Sequence, residues 1–197
     1  MDNSASTLLY IPDISGFTNF VNKTEINHSR HIISELLEII IDSDNFGMSV
    51  SEIEGDAILF FKEELPSITN LLEQCQDTFI KFHNYLRQYD KECVCKCSAC
   101  ETAIQLSLKF IIHKGDVSKI NIKDHQKLYG PDVILVHRLL KNSIPEDEYI
   151  LITDQYKLDI NSIEIDKNKW ISIKRGSDTY KYLGKHNYSY IPINNLK

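Results

Sequence analysis

A chain of 197 residues with 42% hydrophobic side chains has the size of one domain and enough apolar material for one sizeable core. Its 28 acidic residues outnumber 22 basic ones for a formal charge of -6, the opposite of the basic footprint that binds nucleic acid or an anionic membrane surface. No apolar run reaches the roughly 20 residues of a membrane-spanning helix, and the stretch from Met1 to Thr7 lacks a signal peptide's basic start and apolar centre, so a cytoplasmic location is expected.

Thr7 to Pro12 (TLLYIP) is a short apolar run ending at proline, which predicts a buried strand that delivers Asp13 to its carboxyl end. After Ser15-Gly16-Phe17-Thr18, the residues Ile32, Ile33, Leu36, Leu37, Ile40 and Ile41 recur at helical spacing, and that helix should end near Asn45-Phe46-Gly47. Met48 to Phe61 divides into two β-prone runs about Glu54-Gly55-Asp56, where Asp beside Gly suits a tight hairpin turn. Leu65 to Tyr89 is helical again and runs into a cysteine-rich connection at about 90–103. Beyond it, Gln105 to His113 predicts a strand with another after it, Asp132 to Leu140 a helix, and Tyr149 to Thr153 a strand. The stretch from Trp170 to Ile193 suggests a closing hairpin with its turn at Lys174-Arg175-Gly176, and Trp170 and the nearby tyrosines read as core and sheet residues. The order β-α-β-β-α-β with further elements is that of an α+β, ferredoxin-like sandwich with C-terminal additions, and no linker divides residues 1–197.

Two aspartates from separate turns can hold a Mg²⁺ or Mn²⁺ ion, because such ions take hard oxygen ligands. In this order of elements the first strand and the hairpin are neighbours, so Asp13 and Asp56 can converge although they lie far apart in the sequence. Gly16 lets the backbone N–H groups of Gly16, Phe17 and Thr18 face a polyphosphate, and Gly55 permits the turn. Taken alone, a helix-capping Asp13 and an ordinary turn residue at Asp56 is the commoner reading of such positions.

The stretch Tyr10-Ile11-Pro12-Asp13-Ile14-Ser15-Gly16-Phe17-Thr18 resembles the opening metal-binding motif of class III nucleotidyl cyclase catalytic domains, and Glu54-Gly55-Asp56 resembles their hairpin motif. His113-Lys114-Gly115 is similar to their His-x-Gly strand, and Gly130-Pro131-Asp132-Val133 to their Gly-x-x-Val helix start, so four motifs fall in order over about residues 8–140. The resemblance implies a cyclase fold, a nucleoside triphosphate substrate and a head-to-tail homodimer with sites at its interface. It also implies Mg²⁺ or Mn²⁺ held by Asp13, Asp56 and the backbone carbonyl of Ile14. Glu52 and Lys127 stand where the family selects the base. Glu52 suits guanine, whose N1–H and N2–H need acceptors, whereas Lys127 departs from the family's Asp or Cys. Arg138 matches the arginine that steadies the reacting phosphate. Ile134 replaces the ribose-orienting Asn, and Leu183 stands where Leu183-Gly184-Lys185 should offer a lysine. Losing one preorganised donor costs about 10²–10³ in rate, so the expected protein is a divergent cyclase homologue with weak or lost cyclisation. The competing expectations are a non-catalytic nucleotide- or metal-sensing module and metal-dependent triphosphate hydrolysis.

Cys93, Cys95, Cys97 and Cys100 form C-x-C-x-C-x-x-C, a spacing that suits Zn²⁺, with Cys75 or His113 as a further ligand, as well as free thiols or a redox pair. His28 and His31 read as solvated or packing residues of the first helix.

Overall fold

The computed structural model describes residues 6–92, 102–156 and 170–197. The first apolar run forms β1 (Ser6–Ser15), buried on both faces over Thr7–Asp13 and longer than TLLYIP because the Asp13–Ser15 segment still pairs with a neighbouring strand. Two helices follow, α1 (Phe17–Lys23) and α2 (Ile26–Asp42), separated at Thr24, which is extended and whose hydroxyl donates to Phe20 O at 2.8 Å. The spacing of Ile32, Ile33, Leu36 and Ile40 places them on the buried face of α2. The helix stops at Ser43, whose hydroxyl and N–H both turn back to Ile39 O.

The hairpin is β2 (Ser49–Glu54) and β3 (Ala57–Lys62), and Gly55 at its tip has φ 64, a left-handed conformation that glycine adopts without steric cost. Then come α3 (Ile68–Glu92), β4 (Ser107–Asp116), a small separate sheet of β5 (Ser118–Ile122) and β6 (His125–Tyr129), α4 (Pro131–Leu139) and β7 (Tyr149–Thr153). The last strands are β8 (Lys174–Tyr180) and β9 (Gly184–Pro192). Their turn is therefore not at Lys174-Arg175-Gly176 but between Tyr180 and Gly184. Gly176 lies inside β8 opposite Tyr188, whose ring fills the space a Cβ would take.

The large sheet runs β2-β3-β1-β4-β7-β9-β8, and its β2-β3-β1-β4 quartet is antiparallel with the order of a ferredoxin-like fold. Alternation along β1 divides the core. Leu8, Tyr10 and Ile14 join the cluster with Phe20, Ile32, Leu36, Leu71 and Phe79 of α1, α2 and α3, while Leu9 and Ile11 meet Val133, Val136 and Leu139 of α4 on the opposite face. Trp170 packs partly buried against the first cluster. No helix among the described residues is long and apolar enough to cross a membrane.

One charged group lies deep in this frame. Glu148, just before β7, is 4% exposed, with His83 Nε2 of α3 at 2.9 Å and Lys197 Nζ at 3.0 Å from its Oε1. Burial penalises the carboxylate, but His83 and Lys197 outweigh that and hold its pKa below the ordinary glutamate value. A depressed acid contributes stability that is complete above its unfolded pKa and is lost as the pH falls through the folded one. Glu148→Gln is therefore expected to flatten the loss of melting temperature below about pH 4.5, and to cost about 1–3 kcal/mol at pH 7 by stranding His83 and Lys197. Thermal melts from pH 3 to 8 check it, and an unchanged acid limb would contradict it.

Candidate functional site

Asp13 and Asp56 reach one place by strand pairing. Asp13 stands opposite Ala57 of β3, the residue after Asp56, and the Ile14 N–H donates to Asp56 O at 3.0 Å, so the hairpin tip is laced to β1 beside Asp13. The carboxylates feel each other: burial and then repulsion from Asp13 push Asp56 up to about 6. Two hard anionic oxygen donors brought to one place fit a Mg²⁺- or Mn²⁺-class cation. Among the described residues no three His, Cys, Asp or Glu side chains are placed to hold a metal ion together, so a cation here would complete its shell with backbone, water or ligand oxygens.

A third charge, which the sequence pattern did not single out, completes the cluster. Lys109 of β4 is the cross-strand partner of Asp13, and its Nζ lies 2.9 Å from Asp13 Oδ2 and donates to Leu140 O, at the C-terminus of α4, at 3.2 Å. Burial works against its charge, yet the Asp13 carboxylate, its hydrogen bond and the nearby Asp56 together hold the ammonium above the ordinary lysine value. A lysine inside SLKFIIH reads as the polar member of an alternating strand. Only the register places it against Asp13.

The two expected base selectors also meet, but as an ion pair. Lys127 Nζ lies 3.3 Å from Glu52 Oε2, while Glu52 Oε1 is 3.0 Å from His137 Nε2, whose Nδ1 is 3.8 Å from Glu54 Oε2. Both oxygens of Glu52 thus have partners within the chain, with an acceptor and a donor side by side. His137 went unremarked in the sequence because nothing in the helix pattern reveals that it faces β2.

His113 is fully buried between Thr153 Oγ1, 2.8 Å from Nδ1, and Asp132 Oδ1, 3.0 Å from Nε2. The hydrogen bond from His113 holds the Asp132 carboxyl below its ordinary range, so Asp132 is ionised and accepts from Nε2–H, while Nδ1 pairs with the Thr153 hydroxyl. This Thr-His-Asp arrangement is no nucleophile, since Thr153 is 1% exposed and no substrate reaches it. It pins α4 to β4. Both imidazole nitrogens have partners within the fold, and Cys75 is fully buried with its Sγ 3.8 Å from the Tyr10 hydroxyl. Cys93, Cys95, Cys97 and Cys100 lie outside the described residues.

Of the other predicted positions, Gly16 caps α1 with φ 90, and Phe17 and Thr18 open that helix, with the Phe17 ring beside Gly55 at the hairpin tip. Arg138 is exposed on α4, and Ile134, on the same helix, is 54% exposed. Leu183 packs against the α4-side core, and His28 and His31 are exposed on α2.

A family profile described as a protein of unknown function, DUF2652, matches residues 33–149, more than half of the chain. The chain belongs to the DUF2652 family. That segment of the DUF2652 chain takes in Asp56, Lys109, Glu52, Lys127 and His137, but not Asp13. Over 122 residues, 62% of its length, the chain is 36% identical to the uncharacterized protein Rv2561/Rv2562 of Mycobacterium tuberculosis, and the match spans 57% of that relative. Among solved structures it is similar to the guanylate cyclase domain of RhGC from Catenaria anguillulae in complex with GTP, at TM-score 0.63 and 17% identity, covering 96% of this chain and 97% of that one. A bacterial light-regulated adenylyl cyclase aligns at TM-score 0.61 and 14% identity, covering 98% of this chain and 92% of that one. A non-canonical dimeric guanylyl cyclase domain of the RhoGC fusion protein from Blastocladiella emersonii gives TM-score 0.58 and 17% identity, over 96% and 95% of the two chains. The DUF2652 chain therefore has the fold of nucleotidyl cyclase catalytic domains; identities this low speak for fold alone.

Proposed function

We propose that this chain binds a nucleoside triphosphate together with Mg²⁺ or Mn²⁺, the cation held by Asp13, Asp56 and the carbonyl of Ile14, and that its cyclisation activity is weak or lost. The observation that carries this reading is the β1–β3 pairing, which sets Asp13 opposite Ala57 and ties Ile14 N–H to Asp56 O at 3.0 Å, so that two carboxylates meet where burial and then Asp13 push Asp56 up to about 6. A divalent cation there would supply Lewis-acid polarisation of a phosphoryl oxygen. Lys109 adds positive charge at the same pocket, Gly16, Phe17 and Thr18 offer backbone N–H groups beside it, and the Glu52–Lys127 pair offers an acceptor and a donor to a base. On the resemblance to cyclase domains, two copies would pair head to tail with Arg138 at the shared site; solved relatives of this fold include both monomeric and dimeric domains.

A non-catalytic nucleotide- or metal-sensing module is the second reading. It is favoured by exposed, apolar Ile134 where a ribose-orienting amide is needed and by Leu183, which is partly buried against the α4-side core where a lysine is needed. The test is to incubate the protein with ATP, GTP, CTP and UTP in Mn²⁺ and to analyse the products, with Asp13→Ala and Asp56→Ala in parallel. A slow cyclic product lost in both variants supports residual cyclisation. Plain diphosphate lost in both makes the chain a hydrolase, and no turnover with nucleotide-dependent stabilisation makes it a sensor. No turnover and no shift in melting temperature with any nucleotide would refute nucleotide binding.

A further inference from the structure

Lys109 is an unusual lysine. Its side chain is 16% exposed, tucked beneath the end of α4, with one hydrogen bond to Leu140 O and an ion pair to Asp13. A lysine on a sheet face ordinarily extends its ammonium to water, because burying that charge is costly unless it is paired. Here three charges share one pocket, two carboxylates and one ammonium, leaving a single net negative charge to attract a cation. A divalent ion bonded to Asp13 would sit about 2.0–2.2 Å from a carboxylate oxygen, within a few ångströms of an ammonium that has no lone pair to offer it.

Resting on the metal reading above, we infer that Lys109 is a resident cation: it occupies the carboxylate pocket when no metal is bound and makes divalent-ion entry depend on a polyanionic ligand arriving with the ion. Leu140 O provides the ammonium with a second acceptor, so it can give up Asp13 without losing every partner. A lone Mn²⁺ meets a pocket whose charge is already half neutralised and binds weakly. A triphosphate supplies the anionic charge that offsets both cations, so metal and nucleotide bind cooperatively, each raising the affinity for the other by the same factor.

The probe is Mn²⁺, followed by the electron paramagnetic resonance of the free ion and by melting temperature, with and without a non-hydrolysable GTP analogue. Lys109→Met is expected to bind Mn²⁺ alone at least about tenfold more tightly than wild type. It should also melt lower in chelator, recover by more degrees than wild type when Mn²⁺ is added, and lose most of the coupling to the analogue. Lys109→Arg keeps the charge and should behave as wild type. Lys109→Met/Asp13→Asn, which removes both charges, should fold without showing Mn²⁺-dependent stability. If Lys109→Met fails to fold in chelator, folding restored by Mn²⁺ supports the inference, and no restoration overturns it. If wild type binds Mn²⁺ through Asp13 and Asp56 but Lys109→Met binds it no tighter, the metal reading stands and the resident-cation role alone is overturned. If no variant binds Mn²⁺ under any condition, both fall.

Discussion

Gly115→Ala is expected to lower the free energy of unfolding by about 3–5 kcal/mol and the melting temperature by roughly 10 °C. A Cβ at Gly115 would lie 2.4 Å from Asp132 Cβ, 2.5 Å from its Cγ and 2.7 Å from its Oδ2. Asp132 cannot rotate away cheaply, because Oδ1 takes His113 Nε2–H and Oδ2 takes the Asp116 N–H at 2.8 Å. Displacing it strands a histidine that is fully buried and shifts α4, which carries both His137 and Leu140. The His-x-Gly and Gly-Pro-Asp motifs thus act as a lock between β4 and α4, and the glycine is there because the aspartate lies over it. Thermal and urea denaturation check this, and a change below about 2 °C would contradict it.

Asp13→Asn and Asp56→Asn are expected to move metal-free stability in opposite directions. Asp56 is an acid whose folded pKa is raised, so the native protein still binds its proton at a pH where the unfolded chain has released it. Stability therefore falls as the pH rises from about 4 to about 6, and the full cost is present at pH 7.5. Asp56→Asn should stabilise the chelator-treated protein there by about 1–2 kcal/mol, after allowance for screening of a half-exposed group. Asp13→Asn instead removes the ion-pair partner of a mostly buried Lys109 and should cost about 2–4 kcal/mol, part of it recovered as Asp56 takes over some of the pairing. Shifts of the same sign, measured by thermal melts in chelator, would contradict this charge arrangement.

The strands were legible because short-range patterns carry them, an apolar run stopping at Pro12-Asp13 and a Gly-Asp turn between β-prone runs, and the meeting of the two aspartates followed from the order of the elements. What was not legible depends on register and on facing surfaces. Lys109 becomes the counter-charge of Asp13 only because β4 pairs with β1 residue for residue, and a one-place slip would turn it to the other face. In the sequence His137 is one polar residue of an amphipathic helix, and only the packing of α4 on β4 and β1 brings it to Glu52 of β2, the carboxylate expected to read guanine. The break between α1 and α2 at Thr24 has no glycine or proline to announce it. Gly176, read as a turn, is a strand glycine that makes room for the Tyr188 ring.

The most direct test is a Mn²⁺ titration of chelator-stripped protein in the presence of a non-hydrolysable triphosphate analogue, with wild type, Asp13→Asn and Asp56→Asn compared side by side. Wild type should take up Mn²⁺ saturably, and each variant should lose at least about 10–100-fold in affinity, the range already seen when only an outer partner of a metal ligand is removed. Saturable uptake that survives both substitutions unchanged, or no uptake by the wild-type protein, would contradict the shared cation pocket.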